Sequence, residues 1–362
     1  MPRSDFFLDR KNILFLNEKR TGLRTLKKWI FLYLYCYTDW INAMKRKRRA
    51  SCGLLLTAVL LLLFGVCGLF FCFGPLAEKL AKPQTALLPL PLPLYETAEG
   101  SGRNESLSIY SAYALLYDLD AEKELYSVEA DTPCHPASLT KIMTIYAAMD
   151  ALDSLDPEIT VGYGDLAGLY EANASMAGLQ EGDVLPVRDL LYATMLPSGA
   201  DAANALARAA CGGADTLVEK MNETAAALGM EQTHFKNVTG LSEEGHYTTA
   251  RDMTVLLKAA LQNENFRAVF CTDSYTTVPT SAYPQGIPLQ STLSQRLAMM
   301  QLDRGPILGG KTGYTEEAGL CLASLASVGG HEYILVTMGA EGDGHSVQTN
   351  LLDALKLYGR CK

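Results

Sequence analysis

The chain has 362 residues, 48% of them hydrophobic and 20% charged, with 9 Cys and a formal charge of −9. This length and apolar content can bury a sizeable core and exclude wholesale disorder. The net acidity argues against a nucleic-acid binder, which needs a basic surface to meet phosphates.

The charge is unevenly placed. Residues 1–50 carry 13 Lys and Arg against 4 Asp and Glu, a surplus of +9, and the other 312 residues carry −18. Residues 1–43 are basic and hold an aromatic cluster, IFLYLYCYTDW, too short to cross a bilayer. Residues 54–73 read LLLTAVLLLLFGVCGLFFCF, with Thr57 the one polar side chain. Twenty residues at about 1.5 Å each match a hydrocarbon thickness of about 30 Å. Lys45, Arg46, Lys47, Arg48 and Arg49 stand directly before this run. Positive residues stay in the cytoplasm, so the pattern predicts one transmembrane helix with the N-terminus inside and the acidic bulk outside. A cleaved secretory signal is the rival; the run is longer than its usual apolar core and no small-x-small cleavage site follows. Either way the acidic part is exported. Met44, the basic run and the apolar run make a complete export signal unaided, which points to translation from Met44 and leaves residues 1–43 without an assigned function.

Residues 74–106 include LPLPLPL and GSGRNES. Each Pro lacks an N–H and forces its predecessor to extended geometry, so this segment reads as a stalk. The organisation expected is a basic tail (1–53), an anchor (54–73), a stalk (74–106) and a folded domain (107–362).

In that domain SIYSAYALLYDL and ELYSVEA read as two strands around an AEKE turn. The segments TKIMTIYAAMDAL, VRDLLYATML, DAANALARAA, TLVEKMNETAAALG and ARDMTVLLKAALQ place apolar residues three and four apart and read as helices. PILGGKTGY, GLCLASLASV and EYILVTMGA return to strands, with Gly329 and Gly330 as a hairpin turn, and SVQTNLLDALKLYG is a closing helix. Strands at both ends around a helical middle predict an α+β fold with one antiparallel sheet built from the N- and C-terminal segments.

Cys134, Cys211, Cys271, Cys321 and Cys361 are widely spaced without a CxxC, and the five His are scattered without an H-E-x-x-H. Neither a metal site nor a cofactor is expected. The cysteines read mainly as small buried hydrophobes, and their odd number leaves at least one outside any internal pair.

Three short motifs carry chemistry. In PASLTKIMT, Ser138 and Lys141 are three apart at a helix start and share a face. A Ser hydroxyl needs a base to become a nucleophile, and a Lys serves only where burial or a nearby cation lowers its pKa. An ordinary helix start is the bland alternative. In MLPSGADAANALA, Ser198 and Gly199 read equally as an N-capped turn between helices. In GGKTGYTEEAG, the glycines at 309, 310 and 313 are expected to interrupt a strand and let a ligand approach, with Lys311 and Thr312 suited to holding a carboxylate. A surface Lys on an edge strand is the alternative, and no P-loop frame is present.

Order and spacing strengthen the signal: S-G-x comes 60 residues after S-x-x-K, and K-T-G 113 residues after that. With the blocks PASLTKIMT, LLYATMLPSGADAANALA, THFKNVTGLSEEGHYTTARDM and GGKTGYTEEAGLCLAS, the domain resembles the serine-type D-alanyl-D-alanine carboxypeptidases, the low-molecular-mass penicillin-binding proteins. The resemblance implies a five-stranded antiparallel sheet flanked by a helical subdomain. It implies Ser138 as nucleophile, Lys141 as its base and Ser198 as a proton relay to the leaving amine. It implies an oxyanion hole from the backbone N–H groups of Ser138 and Tyr314, and substrate binding by Gly199, Lys311, Thr312 and Gly313. The implied partners are a peptidoglycan stem peptide, β-lactams as inhibitors, and a bacterial cell membrane through the N-terminal helix.

Two departures stand out. The family's second motif is usually Ser-x-Asn, and here the third position is Ala200. Asp201 and Asn204 are near, but on a helix they are expected to point elsewhere, so substrate positioning should be weakened while acylation survives. The chain also stops about 50 residues after Lys311, leaving no room for the extra β-rich domain and amphipathic helix of many members. A class A β-lactamase shares the three motifs but needs a water-positioning Glu in an E-x-x-L-N loop; Glu219 and Asn222 come nearest, with the wrong spacing. A wall-binding or β-lactam-sensing module without turnover is the non-enzymatic alternative.

Overall fold

The structure is a computed structural model that describes residues 108–361. The described residues all belong to one compact unit. The basic tail, the apolar run and the stalk lie outside the described residues. Among the described residues no helix is long and apolar enough to cross a membrane.

Strands β1 (Tyr113–Asp118) and β2 (Lys123–Val128) form the first hairpin. A 3-10 turn, Ala137–Leu139, leads into helix α1 (Thr140–Ala151). There follow β3 (Glu158–Thr160), α2 (Tyr163–Leu166), β4 (Val184–Pro186), α3 (Val187–Met195), α4 (Ala200–Cys211), α5 (Ala214–Leu228), α6 (Ala250–Ala260) and α7 (Glu264–Phe270). Then come β5 (Ser274–Thr276), β6 (Pro288–Gln290), α8 (Thr292–Met299), β7 (Ile307–Thr315), β8 (Gly319–Val328), β9 (His331–Ala340) and α9 (Thr349–Tyr358). The main sheet has the order β2-β1-β9-β8-β7, antiparallel throughout, so the first hairpin joins the C-terminal meander through the β1–β9 ladder. The expected α+β architecture is present.

Neighbouring side chains on one strand sort into different cores, as the two-residue period of a strand requires. Leu115, Ala323, Leu325, Ile334 and Val336 pack into the large core shared with α1, α3, α4, α5 and α6. Leu116, Leu322, Leu335 and Tyr333 face the other way, onto Leu293 and Leu297 of α8 and onto Leu351, Ala354 and Leu357 of α9. Both faces of the central strands are therefore covered, which explains their nearly continuous apolar runs. The edge strand β2 shows the opposite pattern, exposed and half-buried in alternation. Gly329 and Gly330 both have positive φ (61° and 90°) between the paired residues Val328 and His331, the geometry of a two-residue hairpin turn.

Helix α1 sits at the centre of the helical part. Thr140 through Ile145 are all buried, so the helix is covered on every side and shows no single apolar stripe. Ile142, Met143 and Ile145 are fully buried, and each such side chain contributes roughly 1.5–3 kcal/mol. The five described cysteines are all free thiols; Cys321 is buried and the rest are partly so. One expectation needs correction: the glycines of GGKTG do not interrupt a strand, because β7 runs unbroken through them with a register shift between Ile307 and Gly309. The space they leave is filled largely by the protein itself. A β-carbon on Gly309 would lie 2.5 Å from the Phe270 carbonyl oxygen, and one on Gly310 would lie 2.9 Å from the Ala323 oxygen.

Candidate active site

The first motif lies where the helical part meets edge strand β7. Ser138 sits in the 3-10 turn rather than in α1. Ala137 before it has φ +47°, a left-handed conformation that costs a non-glycine residue about 1–3 kcal/mol. Three contacts hold that conformation. The Thr140 hydroxyl donates to the Ala137 carbonyl at 2.8 Å. Gly240, itself at φ +79°, packs so closely that a β-carbon there would lie 2.0 Å from the same oxygen. On the other side a β-carbon on Gly313 would lie 3.0 Å from the Ser138 nitrogen. The edge of β7 therefore runs directly past the backbone N–H of Ser138. Behind the turn, His246 Nδ1 accepts from the Lys236 N–H at 3.2 Å, which leaves the proton on Nε2, 2.8 Å from the Thr140 hydroxyl oxygen. Burial, with His135 and His234 nearby, pushes the His246 pKa down to about 4, so this imidazole stays neutral.

Lys141 is one turn further on and 2% exposed. Its Nζ lies 3.2 Å from Ser138 Oγ and donates to the Thr239 carbonyl at 2.5 Å. Burial pushes its pKa down to about 7, against an opposing pull from the Asp201 carboxylate. Near neutral pH a large fraction of it is free amine, the form able to take the Ser138 proton.

Ser198 is 4% exposed with φ +66°, and its Oγ has no hydrogen-bond partner. The N-cap of α4 is Gly199, so the bland reading of Ser198 as a helix cap does not hold. Gly199 has its own packing reason: a β-carbon there would lie 2.7 Å from Ala177, from the Ala193 oxygen and from Asp201. Its N–H donates to Ala193 and its carbonyl accepts from Ala203. Ala200 is buried, and its N–H donates to Ser175. Asp201 and Asn204 do point away. The Asp201 carboxylate accepts the N–H groups of Ala177, Gly178 and Leu179, and Asn204 donates to the Asp165 carbonyl.

Lys311 and Thr312 occupy the middle of β7. Lys311 is fully buried, and its Nζ donates to the Thr312 carbonyl at 2.7 Å. Burial holds its pKa well below the usual lysine range, and the charges of Lys141 and Arg296 push the same way. The Thr312 hydroxyl donates to that of Thr292 on α8 at 2.7 Å. Tyr314 follows, 38% exposed.

Two contributors escaped the sequence reading. Arg296, on α8, is half-buried, donates to the Gly344 carbonyl at 3.1 Å and forms no ion pair among the described residues. Read locally it is one more polar residue of an amphipathic helix; only its proximity to Lys311, set by tertiary packing, marks it. The Thr239 carbonyl is the second, and a backbone acceptor leaves no trace in residue type. Three basic side chains, the buried Lys141 and Lys311 and the half-buried Arg296, thus lie near one another, an arrangement that an anion would favour as a cluster of charge.

The other candidates fare differently. Glu219 is an exposed residue of α5. Asp118, Asp120 and His331 are the one potential metal-ligand cluster among the described residues. Asp118 is already occupied as a turn acceptor for the N–H groups of Asp120 and Ala121, and Asp120 accepts that of Glu332.

The family model of D-alanyl-D-alanine carboxypeptidase, Peptidase S11, matches residues 100–342. The D-alanyl-D-alanine carboxypeptidase DacF of Bacillus subtilis is 34% identical over 247 residues, covering 66% of this chain and 59% of that protein. The D-alanyl-D-alanine carboxypeptidase of Streptomyces sp. K15 is 35% identical over 219 residues, 58% of this chain and 74% of its own. The crystal structure of the Streptomyces K15 DD-transpeptidase superposes with a TM-score of 0.63 at 31% identity, covering 70% of this chain and 97% of that one. The chain therefore belongs to the D-alanyl-D-alanine carboxypeptidase family, Peptidase S11.

Proposed function

We propose that this protein removes the terminal D-alanine from a peptidoglycan stem peptide through a seryl acyl-enzyme, and that β-lactams acylate the same serine. The observation that carries this reading is the buried Lys141 amine 3.2 Å from Ser138 Oγ, its pKa lowered to about 7, with a second buried lysine at Lys311. In the first step the Lys141 amine takes the hydroxyl proton while Ser138 Oγ bonds to the carbonyl carbon of the penultimate D-alanine. The resulting oxyanion meets the backbone N–H groups of Ser138 and Tyr314, where each donor is worth about 3–4 kcal/mol. The C–N bond then breaks, and the amine of the leaving D-alanine gains its proton from Lys141 by way of the unpartnered Ser198 hydroxyl. Water attacks the ester and gives its proton to Lys141; the acyl C–Oγ bond breaks and Lys141 passes that proton to Ser138 Oγ, which restores both the hydroxyl and the amine. Lys311, Thr312 and Gly313 hold the substrate's C-terminal end, with the carboxylate as counterion to the lysine.

The hydrophobic run 54–73 behind its basic flank supports an anchor in the bacterial cell membrane with the catalytic domain outside. Carbonate-washed membranes that retain the full chain, with the domain open to protease in spheroplasts, are the expected result. Domain protected from protease would refute that placement.

Labelling with a fluorescent penicillin, with and without Ser138→Ala, tests the nucleophile. Release of D-alanine from a pentapeptide, measured with and without an amine acceptor, separates hydrolysis from transfer. Labelling without release of D-alanine in either format would reduce the protein to a binding module, and rapid release of hydrolysed penicillin would make it a β-lactamase.

A further inference from the structure

The segment 237–243 lies between α1 and the β7–β8 hairpin, and its fold depends on one side chain. Asn237 Oδ1 accepts from the Thr239 N–H at 3.2 Å, the Thr239 hydroxyl at 3.1 Å and the Gly240 N–H at 2.8 Å. Its Nδ2 donates to the Leu241 carbonyl at 3.0 Å and to Glu243 at 3.1 Å. An Asn side chain that replaces backbone partners in this way fixes a tight turn. The turn presents two successive carbonyls to one face of α1. The Val238 carbonyl accepts from the Thr144 hydroxyl at 2.8 Å, and the Thr239 carbonyl accepts from Lys141 Nζ at 2.5 Å. Beyond it, Ser242 ties the segment to Thr315 and Glu317.

We propose that Asn237 is a positioning residue for the general base: its amide shapes the 237–241 turn so that the Thr239 carbonyl holds the Lys141 amine within reach of Ser138. The inference rests on the reading of Lys141 as base. Val238, 1% exposed and bonded to Thr144, anchors the turn independently, as does the close packing of Gly240 on Ala137. Loss of the Asn237 amide therefore frees the direction of the Thr239 carbonyl before it undocks the segment. A carbonyl lone pair favours ammonium over amine, so it also bears on the proton affinity of Lys141. The other ionisable groups around that amine are Asp201 from α4, which favours the ammonium, and Lys311 from β7, which opposes it; Glu243 reaches Asn237 itself from the far side of the turn.

The test is the second-order rate of Ser138 acylation by a fluorescent penicillin, measured between pH 5 and 9 on the folded wild-type protein, Asn237→Ala and Asn237→Asp. Asn237→Ala should acylate about 10-fold more slowly, since small misplacements of a catalytic group carry penalties of that order or larger. Its acid limb should move to lower pH, because the ammonium has lost its best acceptor. Asn237→Asp keeps an acceptor and adds a negative charge, so its limb should move to higher pH. A slower Asn237→Ala with an unmoved limb would mean a merely structural role and overturn the proposal, as would wild-type rates. Should Asn237→Ala fail to fold, the limb of Asn237→Asp decides, and an unmoved limb there overturns the proposal equally. A wild-type protein that is acylated only when Ser138 is present, beside Asn237 variants that match it, leaves the base reading standing and removes this inference. No wild-type acylation at any pH removes both.

Discussion

Replacing Gly240 by Ala tests how tightly the nucleophile turn is held. Gly240 has φ +79°, and the added β-carbon would lie 2.0 Å from the Ala137 oxygen and 3.0 Å from Ser138 Cα. The closest of these is more than 1 Å inside ordinary contact, and the obstacle is backbone, so one of the two segments must move by about 1 Å. A displacement of that size at a reacting group costs about 100-fold in rate. The left-handed backbone adds about 1–2 kcal/mol for any residue with a β-carbon. Gly245 separates the two effects. It has a nearly equal φ of +82°, and a β-carbon there meets only Lys236 Cδ at 3.9 Å. Gly245→Ala should therefore show the backbone penalty alone, a few degrees in melting temperature for a domain of this size, with penicillin acylation close to wild type. Gly240→Ala should lose more stability and about 100-fold in acylation rate. Equal acylation rates in the two variants would refute the reasoning that Gly240 sets the position of Ser138.

Acylation of the wild-type protein should rise through a midpoint near pH 7, as Lys141, held at about 7 by burial, gives up its proton; a rate flat from pH 6 to 8 would contradict its role as base. The same shift affects stability. The folded pKa of Lys141 lies below the unfolded value of 10.5, so between about pH 7 and 10.5 the unfolded chain binds the extra proton and stability rises with pH. Lys141→Met should be more stable than wild type at pH 7 in urea melts and should flatten that slope by about 1.4 kcal/mol per pH unit; an identical slope would argue against a depressed lysine. Arg296→Ala removes a positive charge that acts on Lys311 and should raise KM for a D-alanyl-D-alanine peptide by about 10-fold with kcat little changed; an unchanged KM would refute any part for that charge in binding an anion. Ala200→Asn restores the amide usual in the family's second motif and should raise kcat/KM about 5-fold, one ordinary hydrogen bond; unaltered turnover would show that the missing amide is without consequence here.

The fold was legible where periodicity is local and the core is shared by neighbours in sequence. The strands at both ends, the helices between them and the Gly329–Gly330 turn all stand where the apolar pattern put them. The S-x-x-K pair was legible for the same reason, because three residues along a turn is a local distance. What the pattern misread depends on partners far away in sequence. Ser198 looked like a cap, yet the N-cap is Gly199, which packs closely against Ala177 and Ala193, and Ser198 stands before it at positive φ. The glycines of β7 looked like gaps for a ligand, yet Gly309 meets Phe270 and Gly313 meets Ser138, about 40 and 175 residues away. Arg296 and the Thr239 carbonyl matter through tertiary placement alone, so neither leaves a sign in its own stretch of sequence.

The proposed mechanism asks for opposite protonation states of the two buried lysines. In it Lys141 accepts the Ser138 proton as an amine, whereas Lys311 meets a carboxylate as an ammonium. Two ammonium groups buried side by side raise each other's cost, so the pair holds one proton more readily than two. No carboxylate pairs with Lys311 or Arg296 among the described residues, and the Asp201 carboxylate acts on Lys141, so the β7 side of the site has no counterion of its own. An arriving C-terminal carboxylate supplies one on the β7 side. On the proposed mechanism it would fix the charge on Lys311 and leave Lys141, where burial outweighs the pull of Asp201, as the neutral group. A substrate ending in an amide rather than an acid would lack that effect. It should lose activity in both KM and kcat, whereas a purely geometric role for Lys311 would show in KM alone.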